Sequence, residues 1–200
     1  MEIKIENAKA ALKTADESVK KVLLALLPEL NEEEAQTAAN RPVTERIKTF
    51  EDACRELGND HPMVLAYQNT NLRDPEVENE NRDIIAYLKL RIVCAALNEG
   101  WEPRFTEDEE RWYPWFYLWT DEELSEKSDG WKEAQALIST EPYIGECAGF
   151  AFAYSDDAPS TAPSYFGSRL CLKSEALATY CGKQFISLWA DFDLIKKMTF

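Results

Sequence analysis

Helical apolar spacing as far as residue 98, a switch to two-residue alternation at Trp112–Trp119, and a final helical stretch after Ser174 predict an α+β fold. The order is helices, then strands, then a helix, without the strand–helix alternation of α/β proteins. The expected parts are an N-terminal amphipathic helix, a helical subdomain, a small, mainly antiparallel sheet and a closing C-terminal helix. Two domains follow: a helical arm with linker over 1–40, and a compact α+β domain over 41–200.

The first element spans residues 5–30, where Leu12, Ala15, Val19, Val22, Leu23, Leu26 and Leu30 recur at steps of three and four. Pro28 interrupts its last turn, and the polar stretch 31–40 reads as linker or exposed extension. One isolated helix cannot bury such a stripe, so it packs on the main domain or on copies of itself. The second unit opens near Pro42. Thr49-Phe-Glu-Asp52 resembles a capping box, Phe50, Cys54 and Leu57 form a stripe, and Gly58 is the expected stop. A short helix follows Pro62, and the polar residues 69–81 read as loop.

Residues 82–98 form the strongest helix. Ile84, Ile85, Leu88, Ile92, Val93 and Ala96 share one broad face, and Tyr87, Leu90 and Cys94 lie beside it. Trp112–Trp119 is aromatic on both alternating faces, which predicts a central strand, while Pro114 favours an edge position or a bulge. Residues 120–144 read as helix or irregular connection. Further strands are expected at 149–154 and 165–172, with an exposed loop over 155–164 between them. Ser174 starts a final helix whose Leu177, Tyr180, Cys181, Phe185, Leu188 and Trp189 face inward.

The chain has 200 residues, 22 Lys and Arg, 37 Asp and Glu, and a net charge of −15. Residues 49–144 hold 9 basic and 22 acidic residues, so the negative surface belongs to the middle of the chain. Such a balance argues against phosphate-mediated nucleic-acid binding. Five cysteines, an odd number without CxxC spacing, read as reduced thiols. The polar opening Met-Glu-Ile-Lys-Ile-Glu lacks a signal-peptide core, and no apolar run has membrane-spanning length. Synthesis in a cytoplasm and no membrane partner are expected.

Catalytic patterns are scarce. His61, the single histidine, precedes a proline at a helix start and lacks the neighbours of a catalytic unit. The acidic runs lack calcium-loop spacing, and the seven glycines form no phosphate-cradling motif. No catalytic, metal or cofactor site is therefore expected. The aromatic segment from Trp101 to Trp119 stands out, because Trp and Tyr beside carboxylates suit sugar rings, although aromatic rings equally build cores.

Thr44–Gly58, Ile85–Ile92, Ala96–Trp101, Tyr113-Pro-Trp-Phe-Tyr117, Gly167–Ser174 and Gly182–Ile186 together resemble an uncharacterised family of Bacteroidetes and their tailed, crAss-like phages. The resemblance covers most of residues 43–192. Ala158–Gly167 followed by Arg169-Leu170 also resembles the loop and strand that end C-type-lectin-like phage variable domains, although a helix continues after it here. The first resemblance implies a non-enzymatic virion-associated structural protein, such as a head-fibre or decoration subunit. It would be made in the host cytoplasm, incorporated in the virion beside other virion proteins, and assembled as a homo-oligomer. The expected oligomer or anchoring interface is Leu12, Val19, Val22, Leu23, Leu26 and Leu30. An alternative is a module binding a host glycan or receptor through Trp115, Trp119, Asp156, Asp157 and Tyr165, and a third is an acidic host-takeover protein.

Overall fold

Asp16 divides the N-terminal apolar stripe. In the computed structural model, which describes residues 5–27, 40–104, 106, 108–157 and 168–197, helix α1 spans Ile5–Thr14 and α2 spans Glu17–Leu26. The Asp16 carboxylate accepts hydrogen bonds from the Ser18 and Val19 amides at 3.0 and 2.9 Å, satisfying donors that a helix start leaves open. The Ser18 hydroxyl, at 2.6 Å, and then the Val19 amide hold the Asp16 pKa below its ordinary value. The single helix expected over 5–30 is thus corrected to two, because a local cap competes successfully with a continuous apolar period. Ala8 and Leu12 are buried against Leu23 and Leu27. Along one unbroken helix Leu12 and Leu27 would lie about 22 Å apart, so the chain reverses between α1 and α2. Leu30 and residues 31–39 of the linker lie outside the described residues.

The chain forms two compact units, residues 1–46 and 47–200, and a one-turn helix α3 (Val43–Arg46) ends the first. The second begins with α4 (Phe50–Leu57), whose Thr49–Asp52 capping box is complete and whose Gly58 stop has φ +92°. In α5 (Pro62–Gln68) the cap is His61, whose Nδ1 accepts the Met63 amide at 3.2 Å. The loop expected over 69–81 is corrected to two 3-10 turns, Asn71–Arg73 and Asn79–Asn81, around α6 (Pro75–Glu78). Thr70 caps the first turn and Pro75 presets the helical φ of α6, signals that polarity alone conceals.

Helix α7 (Arg82–Leu97) is the axis of the second unit, buried at Ile85, Ala86, Leu90, Ile92, Val93, Cys94, Ala96 and Leu97. Helices α4 and α5 pack on it. Leu90 and Cys94 are buried as fully as the face beside them, whereas Ile84, in the first turn, is exposed.

Among the described residues the sheet has three antiparallel strands in the order β1 (Trp112–Trp119), β3 (Gly149–Asp157), β2 (Ile138–Ser139). Between β1 and β2 run α8 (Asp121–Ser125) and α9 (Asp129–Ala134). The central position expected for Trp112–Trp119 is corrected: β1 lies at an edge and β3 is central. The prolyl nitrogen of Pro114 cannot donate to a second neighbour, which suits an edge strand. The register also shifts between Trp115 and Phe116, because Trp115 faces Tyr154 but Phe116 faces Phe152. Ala153 is therefore an extra residue on β3, and this bulge sends Tyr154 to the face opposite Phe152.

Phe116, Phe150 and Phe152 occupy the inner face. Phe116 stacks on Phe150 at 4.7 Å and tilts against Trp189 at 5.6 Å. Helix α10 (Glu175–Gln184) packs on β1 and β3, and α11 (Ile186–Asp193) packs on α7. The single closing helix is corrected to these two, interrupted at Phe185, whose φ of −112° is not helical. The strand expected over 149–154 extends to Asp157, so Ser155, Asp156 and Asp157 belong to β3, not to a loop. Ser168–Leu170 is a 3-10 turn where a strand over 165–172 is expected, and among the described residues of that stretch Leu172 alone bridges to Trp112. Residues 158–167 lie outside the described residues.

Candidate functional site

Side chains at 113, 115, 117 and 119 of β1 share the outer face, because strand side chains alternate. Beyond the bulge they are joined by Tyr154 and Asp156 of β3, the register partners of Trp115 and Tyr113. The two ends of this face are covered differently. At one end Tyr113 is buried near Ser168 and Cys171, and burial pushes its phenol up to about 12. At the other, Leu124 and Leu137 close over Gly149, where a Cβ would stand 2.8 and 2.7 Å from their methyl groups.

The middle stays open. Trp115 and Tyr154 stack at 5.9 Å with their rings 10° from parallel, and Tyr117 meets Tyr154 edge-on at 6.3 Å. Tyr117 and Tyr154 are 53% and 43% exposed, although their apolar ring area would favour burial. Tyr117 is also edge-on to Trp119 at 6.0 Å, and Trp119 is edge-on to Trp131 of α9 at 5.1 Å. The aromatic rings thus continue from the sheet onto the α8–α9 segment.

Of the binding residues expected from the sequence, Trp115 and Trp119 lie in this band and are half-buried. Asp156 is exposed on the same face, whereas Asp157 alternates to the opposite one. Tyr165 lies outside the described residues. Tyr117, Tyr154, Trp131 and Lys127 complete the band. Two-residue alternation groups Tyr117 with Trp115 and Trp119, but Tyr154 follows Phe150 and Phe152 and reads as inward unless the bulge is known.

Of the expected interface residues, Leu12 and Leu23 lie inside the α1–α2 contact. Val19, Val22 and Leu26 are 46%, 57% and 67% exposed. Steps of three and four place these three on one side of α2.

A second concavity, of about 320 Å³, lies between the start of α7 and the end of α11 and is lined by Arg82, Asp83, Asp191, Phe192 and Lys196 among others. Of the lining residues, Asp191 accepts from the Tyr143 hydroxyl at 2.9 Å, and Arg82 stands 3.7 Å from the other Asp191 oxygen. Among the described residues, no group of three or more His, Cys, Asp or Glu side chains could hold a metal ion, and no helix is long and apolar enough to cross a membrane. No protein-family model, curated protein or solved structure matches this chain.

Proposed function

We propose that this chain is a non-enzymatic structural subunit of a tailed-phage particle, such as a head-fibre or decoration protein, that self-associates through α1 and α2. The observation that carries this reading is the row Val19, Val22 and Leu26, exposed on a helix pair whose contact, among the described residues, is formed by Ala8 and Leu12 with Leu23 and Leu27. Two ten-residue helices are too short to be stable on propensity, so further burial of apolar surface stabilises them. A second copy of the chain is the partner that fits. Residues 1–48 carry 8 basic and 9 acidic side chains, so two arms meet without the repulsion that two acidic middle segments would suffer. The phage setting comes from the sequence resemblance. Protein quantification in washed particles of a phage encoding this chain tests it: a fixed copy number per particle is expected, and absence from the particles overturns it.

The exposed Tyr117–Tyr154 pair favours a second reading, a surface for sugar rings that stack on aromatic faces. Glycan-array binding that disappears in both Tyr117→Ala and Tyr154→Ala is expected. Equal signals from wild type and both variants would discard it.

A further inference from the structure

Lys127 occupies the turn between α8 and α9, and its ammonium stands over two indole rings at once. Nζ lies 4.9 Å from the Trp119 ring centre and 5.4 Å from that of Trp131. The two rings meet edge-to-face at 5.1 Å and 80°, so they form two walls of a notch. An ammonium over an indole face is attracted by the electron-rich ring, and aromatic walls of this kind recognise lysine and methylated amines. Trp119, Trp131 and Lys127 are all half-buried, which leaves the notch reachable from solvent.

The surroundings carry the complementary charge. Asp121, Glu122, Glu123, Glu126, Asp129 and Glu133 are exposed on α8, α9 and the turn between them, against Lys127 and Lys132. Lys132 is partly matched by Asp129 at 3.9 Å. Glu123 is held ionised first by the Thr120 amide and hydroxyl, at 2.9 and 3.0 Å, and then by the charge of Lys127. Anchored in the capping box of α8, this carboxylate stays beside the notch whether or not Lys127 occupies it.

We infer that the Trp119–Trp131 notch is a binding site for an alkylammonium group, with Lys127 as its resident intramolecular occupant. The source that fits is a lysine on a partner protein, since the acidic rim extends beyond the rings and would engage further basic groups. Lys127 joins no regular helix, so vacating the notch requires only side-chain rotation. Its hold at this half-exposed site is weak, and its removal should raise the apparent affinity for an added ammonium roughly two- to fivefold.

The test uses the full chain labelled with ¹⁵N and follows the indole N–H resonances. n-Butylammonium chloride, the lysine side chain as a free molecule, is titrated against sodium chloride at equal ionic strength. Saturable shifts of the Trp119 and Trp131 resonances are expected in wild type, tighter in Lys127→Ala and in Lys127→Gln. The Trp119 shift should vanish in Trp131→Leu, which keeps apolar bulk without a ring, while the remaining resonances keep their native dispersion. If both Lys127 variants respond to n-butylammonium only as they do to sodium chloride, the site is overturned. A blocked Gly-Lys-Gly peptide should bind more tightly than putrescine, and the reverse order would overturn the protein source.

Discussion

Gly182 of α10 and Pro114 of β1 approach so closely that a Cβ on the glycine would lie 2.7 Å from the proline Cβ. It would also lie 2.8 Å from the Phe152 ring. The missing side chain at Gly182 therefore sets how closely the final helices approach the sheet. In a helix interior, Gly→Ala normally gains about 1 kcal/mol. Here the gain opposes an overpacking cost of about 1–3 kcal/mol against a rigid ring and a sheet residue. Gly182→Ala should thus lower stability by as much as about 2 kcal/mol, read as a reduced denaturation midpoint with unchanged slope. A raised midpoint would contradict this packing.

Trp189 joins the sheet to the helices, fully buried against Phe116 at 5.6 Å and Phe192 at 6.2 Å. Trp189→Ala should cost about 3–5 kcal/mol. Trp115→Ala, on the half-open face, should cost markedly less. Chemical denaturation of the two variants side by side checks the order.

The Thr49–Asp52 capping box gives a pH dependence of known sign. Burial alone would raise the Asp52 pKa, but hydrogen bonds from the Lys48 and Thr49 amides, at 3.0 and 2.8 Å, together with the Thr49 hydroxyl and Arg55, bring it below the ordinary value. A carboxyl depressed on folding stabilises above its unfolded-state pKa and loses that contribution as pH falls through the folded one. Below about pH 4 the melting temperature of wild type should fall more steeply than that of Asp52→Asn. Parallel curves would contradict the assignment.

The five free thiols differ in access: Cys94, Cys171 and Cys181 are buried, whereas Cys54 and Cys147 are partly exposed. In Ellman titration of the native protein, the partly exposed pair should react first and the other three only on unfolding. Fast reaction of all five thiols would show that α7, α10 and the 168–172 segment do not close over the core.

Element types were readable where one signal dominated. The capping box at Thr49, the apolar run of α7 and the alternation of β1 each fix the local structure from nearby residues. Boundaries were lost where a short-range cap overrode a longer pattern, as at Asp16 and Thr70. For β1 the two signals conflict: a doubly aromatic strand resembles one covered on both faces, yet Tyr117 and Leu118 are exposed, and the edge position and bulge that Pro114 favours are the ones observed. Tyr154 could not be placed because its face depends on Ala153, and a bulge is defined by the partner strand. The notch around Lys127 joins residues from a strand, a turn and a helix, and their spacing carries no recognisable period.

The assembly claim is tested most directly by the mass in solution of the 22.9 kDa chain and of a Val19→Ser, Val22→Ser, Leu26→Ser variant. Light scattering coupled to size-exclusion chromatography should give an integral multiple of the chain mass for wild type and the single-chain mass for the variant. The helical circular dichroism of the 47–200 unit should be retained in the variant, because the three side chains belong to the other unit. A monomeric wild type, or a variant that keeps the wild-type mass, would contradict self-association through α2.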